Sequence, residues 1–166
     1  MKEILRIDLK DYDESWPVIH RDAAKAVFYV DNKLVMLKSS LGDVKFIGGG
    51  IEKGESSINC LVREVKEETG FNVIKDSVKD LGIVVERRKD KYSDAVWDMT
   101  TYMYSCRVNE KNCGGMSLTD NEKKHGLQCV YVKPEEAIAV NEEAMKKSTY
   151  NAWLYRDLQL LKLLYR

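Results

Sequence analysis

The chain has 166 residues, 44% hydrophobic and 33% charged, a composition that fits a single domain (residues 1–166) with its own core. Lysine plus arginine number 27 and aspartate plus glutamate number 27, so no net positive field draws the protein to nucleic acid or an anionic membrane; a small-molecule partner is expected. The opening MKEILRIDLKDYDE is too charged for a signal peptide and no apolar run approaches the ~20 residues of a membrane helix, so the expected location is cytoplasmic.

Residues 2–9, KEILRIDL, alternate as an early strand, and the polar DYDESWP stretch follows as a loop whose Trp16 covers a sheet edge or stacks on a base. Residues 23–30, AAKAVFYV, read as an apolar strand, and Asp31-Asn32 turns the chain into a second one, LVMLKS, giving a hairpin. After a short loop over 39–43, VKFI leads directly into Gly48, Gly49 and Gly50. These glycines let the backbone take positive φ and approach a ligand, with amides and carbonyls free to face metal or phosphate.

The next stretch is a helix over 57–69. Ser56 or Ser57 can cap its start, Ile58, Leu61, Val62 and Val65 recur at helical spacing, and Gly70 follows as a C-terminal glycine would. At about 100° per residue, Glu64, Glu67 and Glu68 fall within roughly one third of the circumference, beside the apolar arc. Like charges so spaced cost a helix a few tenths of a kcal/mol per pair, roughly, and a hard divalent cation would offset them. The loop before the helix is no P-loop, because Glu55 stands where the phosphate-binding lysine belongs. Nor is it a dinucleotide fingerprint, because Lys53 replaces the third glycine.

Residues 71–74 form a short strand or connector. DLGIVVERRK (80–89) is a strand interrupted early by Gly82, AVWDMTTYMYSCRV (95–108) is a long strand, and LQCVYV (127–132) is another. A polar loop from Asn109 to Gly126 is long enough to suggest a functional role. Pro134 opens a short helix, PEEAIAV, and a closing helix runs from Glu142 to Leu164 with a broad apolar stripe that packs on the sheet or meets a second subunit. Cys60, Cys106, Cys113 and Cys129 contain no Cys-x-x-Cys pair, which suggests reduced thiols and neither zinc nor redox chemistry.

The stretch GGGIEKGESSINCLVREVKEETGF fills every fixed position of the Nudix box: Gly49, Glu55, Arg63-Glu64, Val65, Glu67-Glu68, Gly70 and Phe71. The chain therefore resembles a Nudix hydrolase. The family strand before the glycines usually ends in proline, where this chain has Ile47, a change that removes a rigid φ restraint and touches no catalytic group. The resemblance implies an α/β (α+β) fold, a Nudix-type α/β/α sandwich with a mixed β-sheet between helices. It implies metal-dependent hydrolysis of a pyrophosphate bond in a nucleoside diphosphate linked to another moiety, ADP-ribose-like, nucleotide sugar or nucleoside triphosphate.

Carried over by position, the family roles make Glu64, Glu67 and Glu68 ligands of Mg²⁺ or Mn²⁺, with the Gly48 carbonyl completing the site and Glu64 the candidate base. Glu55 and Arg63 become an ion pair holding helix and loop in place. Gly49, Gly50, Arg21 and Lys45 are expected against substrate phosphates, with Arg87 a further basic candidate and Trp16, Trp97, Tyr102 and Tyr104 available to stack on a base. Family members often use another glutamate from outside the box; Glu122 in the long loop and Glu86 on the strand after Gly82 are the positions to test. Thr119 and Glu122 also match a capping box. His20 and His125 have no metal spacing and are read as surface-loop residues. The alternative is a Nudix-like domain that binds a nucleotide without hydrolysing it; an isoprenoid-diphosphate isomerase and a decapping enzyme fit less well. A homodimer is compatible with the family and the C-terminal stripe.

Overall fold

The computed structural model describes residues 1–110, 115–118, 120–147 and 151–165, the side chains of Asn121 and Glu122 excepted. Its strands are β1 (Glu3–Asp8), β2 (Val18–Val27), β3 (Tyr29–Val30), β4 (Lys33–Lys38), β5 (Val44–Gly50), β6 (Asn72–Lys89), β7 (Val96–Asn109) and β8 (Gln128–Val132). The helices are α1 (Ser57–Thr69), α2 (Asp120–Lys124), α3 (Pro134–Lys147) and α4 (Ala152–Tyr165). The sheet order is β1-β6-β7-β2-β5-β4-β3, with β8 paired to the other side of β4. The β1–β6 and β2–β7 pairs are parallel and the rest antiparallel, so the sheet is mixed as expected.

Two apolar layers sandwich this sheet. Cys60, Leu61 and Val65 of α1 pack against Ala24, Ala26, Ile47 and Tyr104 on one face. Ala137 and Ile138 of α3 and Leu158, Leu160 and Leu161 of α4 pack against Val27, Phe46, Val84 and Met103 on the other. Because side chains alternate along a strand, Glu86, two residues from Val84, points to the α3/α4 face. The hairpin at Asp31-Asn32 is present, both residues having positive φ, the conformation of a two-residue turn that matches strand twist.

Several expected boundaries change: the apolar strand over 23–30 is divided at Phe28 into β2 and β3, and the expected loop over 109–126 contains α2. Residues 71–74 and 80–89 belong to one long strand, β6, which stays continuous by register shifts between Ile74 and Lys79 and between Asp80 and Gly82. Gly82 marks a bulge. Strand β2 starts at Val18, five residues before the apolar run, because its exposed half pairs in parallel with Val96–Thr100. The closing helix expected over 142–164 is divided between α3 and α4.

The division has a geometric cause. Asn141 and Asp157 both bind strand β5: the Asn141 carboxamide accepts from Val44 N and donates to Val44 O, each at 2.8 Å, and Asp157 Oδ2 accepts from Phe46 N at 3.0 Å. In one helix these two side chains would stand about 24 Å apart, while Val44 and Phe46 are separated by only about 7 Å. Two helices packed on each other, with Lys162 of α4 paired to Glu142 of α3 at 2.8 Å, bring both side chains to the strand.

Candidate active site

Helix α1 begins at Ser56, whose hydroxyl accepts from Asn59 N at 3.2 Å, and ends at Gly70, whose φ of 78° is the left-handed cap conformation. Its buried face differs from the expected one. Ile58 is exposed, and Cys60, Leu61, Glu64, Val65 and Glu68 turn inward. Two of the three box glutamates therefore lie within the packed face rather than beside it.

Close approach of the glycine loop makes this arrangement feasible. A Cβ on Gly49 would stand 2.5 Å from Glu64 Oε1, so a larger residue there would displace that carboxylate from this position. Gly48, at φ 132°, presses on β2, where a Cβ would overlap the carbonyl oxygen of Ala24. Its amide donates to Glu68 Oε2 at 2.7 Å.

Arg63 ties the remaining groups together. Its Nε donates to Glu55 Oε1 and its Nη2 to Glu55 Oε2, each at 2.9 Å, which is the expected ion pair in two-pronged form. Nη1 also reaches Glu64 Oε1 at 2.7 Å and Glu67 Oε2 at 3.2 Å, and Nη2 reaches Gly50 O at 3.1 Å. The arginine thus holds loop and helix together and neutralises part of the carboxylate cluster. Among the described residues no three His, Cys, Asp or Glu side chains converge as a ready-made metal cage. Glu64 and Glu67 turn to Arg63, and Glu68 turns to the Gly48 amide.

Pairing and burial set the electrostatics. Hydrogen bonds from Arg63 hold the Glu55 carboxyl down at about 2. Glu68, 1% exposed, is pushed up to about 7 by loss of water, with Lys45 as the main opposing charge. Burial raises the Cys60 thiol to about 12, so this cysteine is a packed, inert group, in line with its expected role.

A cleft of about 550 Å³ opens beside the cluster, lined by Arg21, Gly50, Lys53, Arg63, Glu64 and Glu67. Arg21 Nη2 lies 3.6 Å from the place a Gly50 Cβ would occupy. So Arg21, Gly49 and Gly50 gather with the box carboxylates, and Lys45 stands near Glu68 on the inner side of α1. Lys53 also lines the cleft, a role that its spacing in the sequence does not suggest.

Other expected residues do not gather there. Glu86 is a correction: it is buried on the α3/α4 face, paired with Arg88 at 2.8 Å and Arg156 at 3.5 Å, and so lies across the sheet from α1. Arg87 sits over the Tyr12 ring at 5.2 Å and is ion-paired with Glu14 and Asp98. Trp97 lies under Arg88, and Trp16 under Lys89 at 4.6 Å. Tyr104 shares a 2.6 Å hydrogen bond with Ser57 at the start of α1. Glu122 and Thr119 lie outside the described residues. His20 stands on β2, not in a loop, between Asp22 at 3.3 Å and Asp98 at 4.0 Å.

Sequence reasoning also missed Lys25, Asn141 and Asp157, three buried polar groups in apolar elements. A lysine inside AAKAVFYV and an aspartate inside the apolar stripe of α4 were the available signals, since buried charges need partners.

Comparison with known proteins agrees with this architecture. A family profile described as NUDIX domain matches residues 19–154. Among solved structures, a NUDIX hydrolase from Nitrosomonas europaea is similar at a TM-score of 0.55 and 16% identity, with 89% of each chain covered. The solution structure of the E. coli ORF135 protein is similar at 0.49 and 19%, with 89% of each chain covered. No curated protein matches the chain in sequence.

Proposed function

The chain belongs to the Nudix family, and from that premise we propose that it is a divalent-metal-dependent pyrophosphohydrolase acting on a nucleoside diphosphate joined to another moiety. The observation that carries this reading is the placement on α1 of Glu64 against Gly49 and of Glu68 on the Gly48 amide, with Glu64 and Glu67 lining a cleft that also holds Arg21. The residues fit a hard cation. Three carboxylates share one region of α1, Gly49 leaves Glu64 the space that a Cβ would take, and oxygen donors suit Mg²⁺ or Mn²⁺.

Glu64, Glu67, Glu68 and the Gly48 carbonyl would hold the ion. When bound, it supplies positive charge to the diphosphate oxygens and acidifies the attacking water. In this reading Glu64 also takes the proton of that water. Arg21 and Lys53 at the cleft bind the outer phosphate oxygens, and Lys45 offsets the charge gathered around Glu68. Arg63, pinned by Glu55, keeps the loop and the helix in register. ADP-ribose-like compounds, other nucleotide sugars and nucleoside triphosphates all meet this description.

We further propose a cytoplasmic setting and a small-molecule substrate rather than nucleic acid or membrane. Free thiols at Cys60, Cys106 and Cys129 and equal numbers of positive and negative side chains support this. Among the described residues no helix is long and apolar enough to cross a membrane.

The test is product analysis after incubation with Mg²⁺ or Mn²⁺ and a panel of nucleoside triphosphates, ADP-ribose, nucleotide sugars and dinucleoside polyphosphates. Turnover that needs the metal and is lost in Glu68→Gln is the expected result. Nucleotide binding without hydrolysis across the panel would replace the enzyme by a nucleotide sensor.

A further inference from the structure

Strand β5 changes neighbours just before the glycine loop. Residues Ile47 to Gly50 pair with Ala26 to Ala23 of β2, whereas Val44 to Phe46 pair with Lys38 to Met36 of β4. At this junction side chains take the backbone groups of Phe46. Its N–H donates to Asp157 Oδ2 at 3.0 Å, and its C=O accepts from Lys25 Nζ at 2.9 Å. Lys25 Nζ and Asp157 Oδ2 are themselves 3.6 Å apart, and the two residues are 4% and 0% exposed. Arg156 continues the network, donating to Asp157 Oδ1 at 3.0 Å and lying 3.5 Å from Glu86 Oε2.

Burying a charged pair costs desolvation that hydrophobic replacements of similar volume would avoid. Here the pair performs a task an apolar pair cannot, because it satisfies both polar groups of one residue where the sheet divides. Two residues on is Gly48, whose amide holds Glu68. Lys25 is also the backbone partner of Gly48 across the β2–β5 ladder. The same lysine therefore fixes the strand on both sides of the turn into the loop, through its backbone at Gly48 and through its ammonium at Phe46.

We propose that Lys25 and Asp157 are positioning residues of the box site: through the two peptide groups of Phe46 they set Gly48, and through Gly48 the orientation of Glu68. The C-terminal helix is by this route a part of the metal site, although it lies on the opposite face of the sheet. The proposal rests on the assignment of Glu68 as a metal ligand, but its geometric core is independent of turnover.

The experiment uses the full chain with Lys25→Met and Asp157→Leu combined, and Val84→Ala as a destabilised control in the same apolar layer. In the metal-free proteins, amide exchange at Gly48 is read by NMR; Mn²⁺ affinity is then read by electron paramagnetic resonance. The double variant is expected to lose protection at Gly48 and to bind Mn²⁺ about tenfold more weakly, while Val84→Ala changes neither beyond its global stability. Should the double variant not fold, Asp157→Asn, which keeps an acceptor for the Phe46 amide, carries the test with a smaller change in the same direction. Unchanged Gly48 protection in a folded variant, or an equal loss in Val84→Ala, overturns the proposal. If the wild type hydrolyses nothing and binds no Mn²⁺, the enzyme reading fails, and Gly48 exchange still decides the positioning claim.

Discussion

Arg63 grips Glu55 through two parallel hydrogen bonds of 2.9 Å while its third nitrogen reaches Glu64 at 2.7 Å. One guanidinium thereby links the loop before α1 to the carboxylate proposed as base. Replacing Arg63 by lysine keeps the charge and loses the fork, so kcat is expected to fall about 10–100-fold with the fold intact, as steady-state kinetics and circular dichroism would show. An unchanged kcat would remove Arg63 from the account.

The same pair makes acid stability titratable. Arg63 depresses Glu55 to about 2, below its ordinary 4.5, so the stabilisation is present above 4.5 and is lost as pH falls toward 2. In Glu55→Gln, urea midpoints measured over this range should fall less steeply with acid than those of the wild type. Parallel curves would contradict the pairing.

Glu68 has the opposite sign. Its carboxyl is raised to about 7 by burial, so in metal-free protein its own contribution to stability is fully present below about 4.5 and is lost as pH rises through about 7. Glu68→Gln removes this decline and is expected to be the more stable protein above pH 7, by on the order of 2 kcal/mol, although it loses turnover. Thermal melts in chelator across the pH range read the difference directly.

The capped helix and its carboxylates were legible because they depend on local rules. Ser56 and Gly70 fix the ends of α1, and glutamates three and four apart must share a region of it whatever the rest of the chain does. The inward turn of Glu64 and Glu68 was not legible, because it depends on Gly49 and Gly48 being pressed against them by β2. Likewise, the division of the last helical stretch follows from two long-range bonds to β5, and Glu86 faces away from α1 by a strand parity that only the sheet register sets. Those are properties of tertiary contact rather than of spacing.

Glu86 now serves as a structural control. Its buried pairing with Arg88 and Arg156 makes Glu86→Gln costly, by about 3 kcal/mol in urea unfolding, with far less loss of turnover per folded molecule than Glu67→Gln. A loss of turnover equal to that of Glu67→Gln would restore Glu86 to the site.

Two glycines separate conformational strain from steric overlap. Gly82, at φ 144°, would place a Cβ on Ile4 Cγ2 and 2.8 Å from Lys2 O, so Gly82→Ala should cost about 2–4 kcal/mol and loosen β1. Gly54, at φ 81°, has nothing within 4 Å, so Gly54→Ala should cost only about 1 kcal/mol. Equal costs by urea unfolding would mean the close approach of β1 to the bulge is wrong.

The most direct test of the central claim is a Mn²⁺ titration, followed by electron paramagnetic resonance, of the wild type and of Glu64→Gln, Glu67→Gln and Glu68→Gln. The account predicts saturable binding by the wild type and at least about tenfold weaker binding in each variant, since each removes one oxygen donor from the same ion. Wild-type affinity in all three variants would show that the clustered glutamates of α1 are not the metal site.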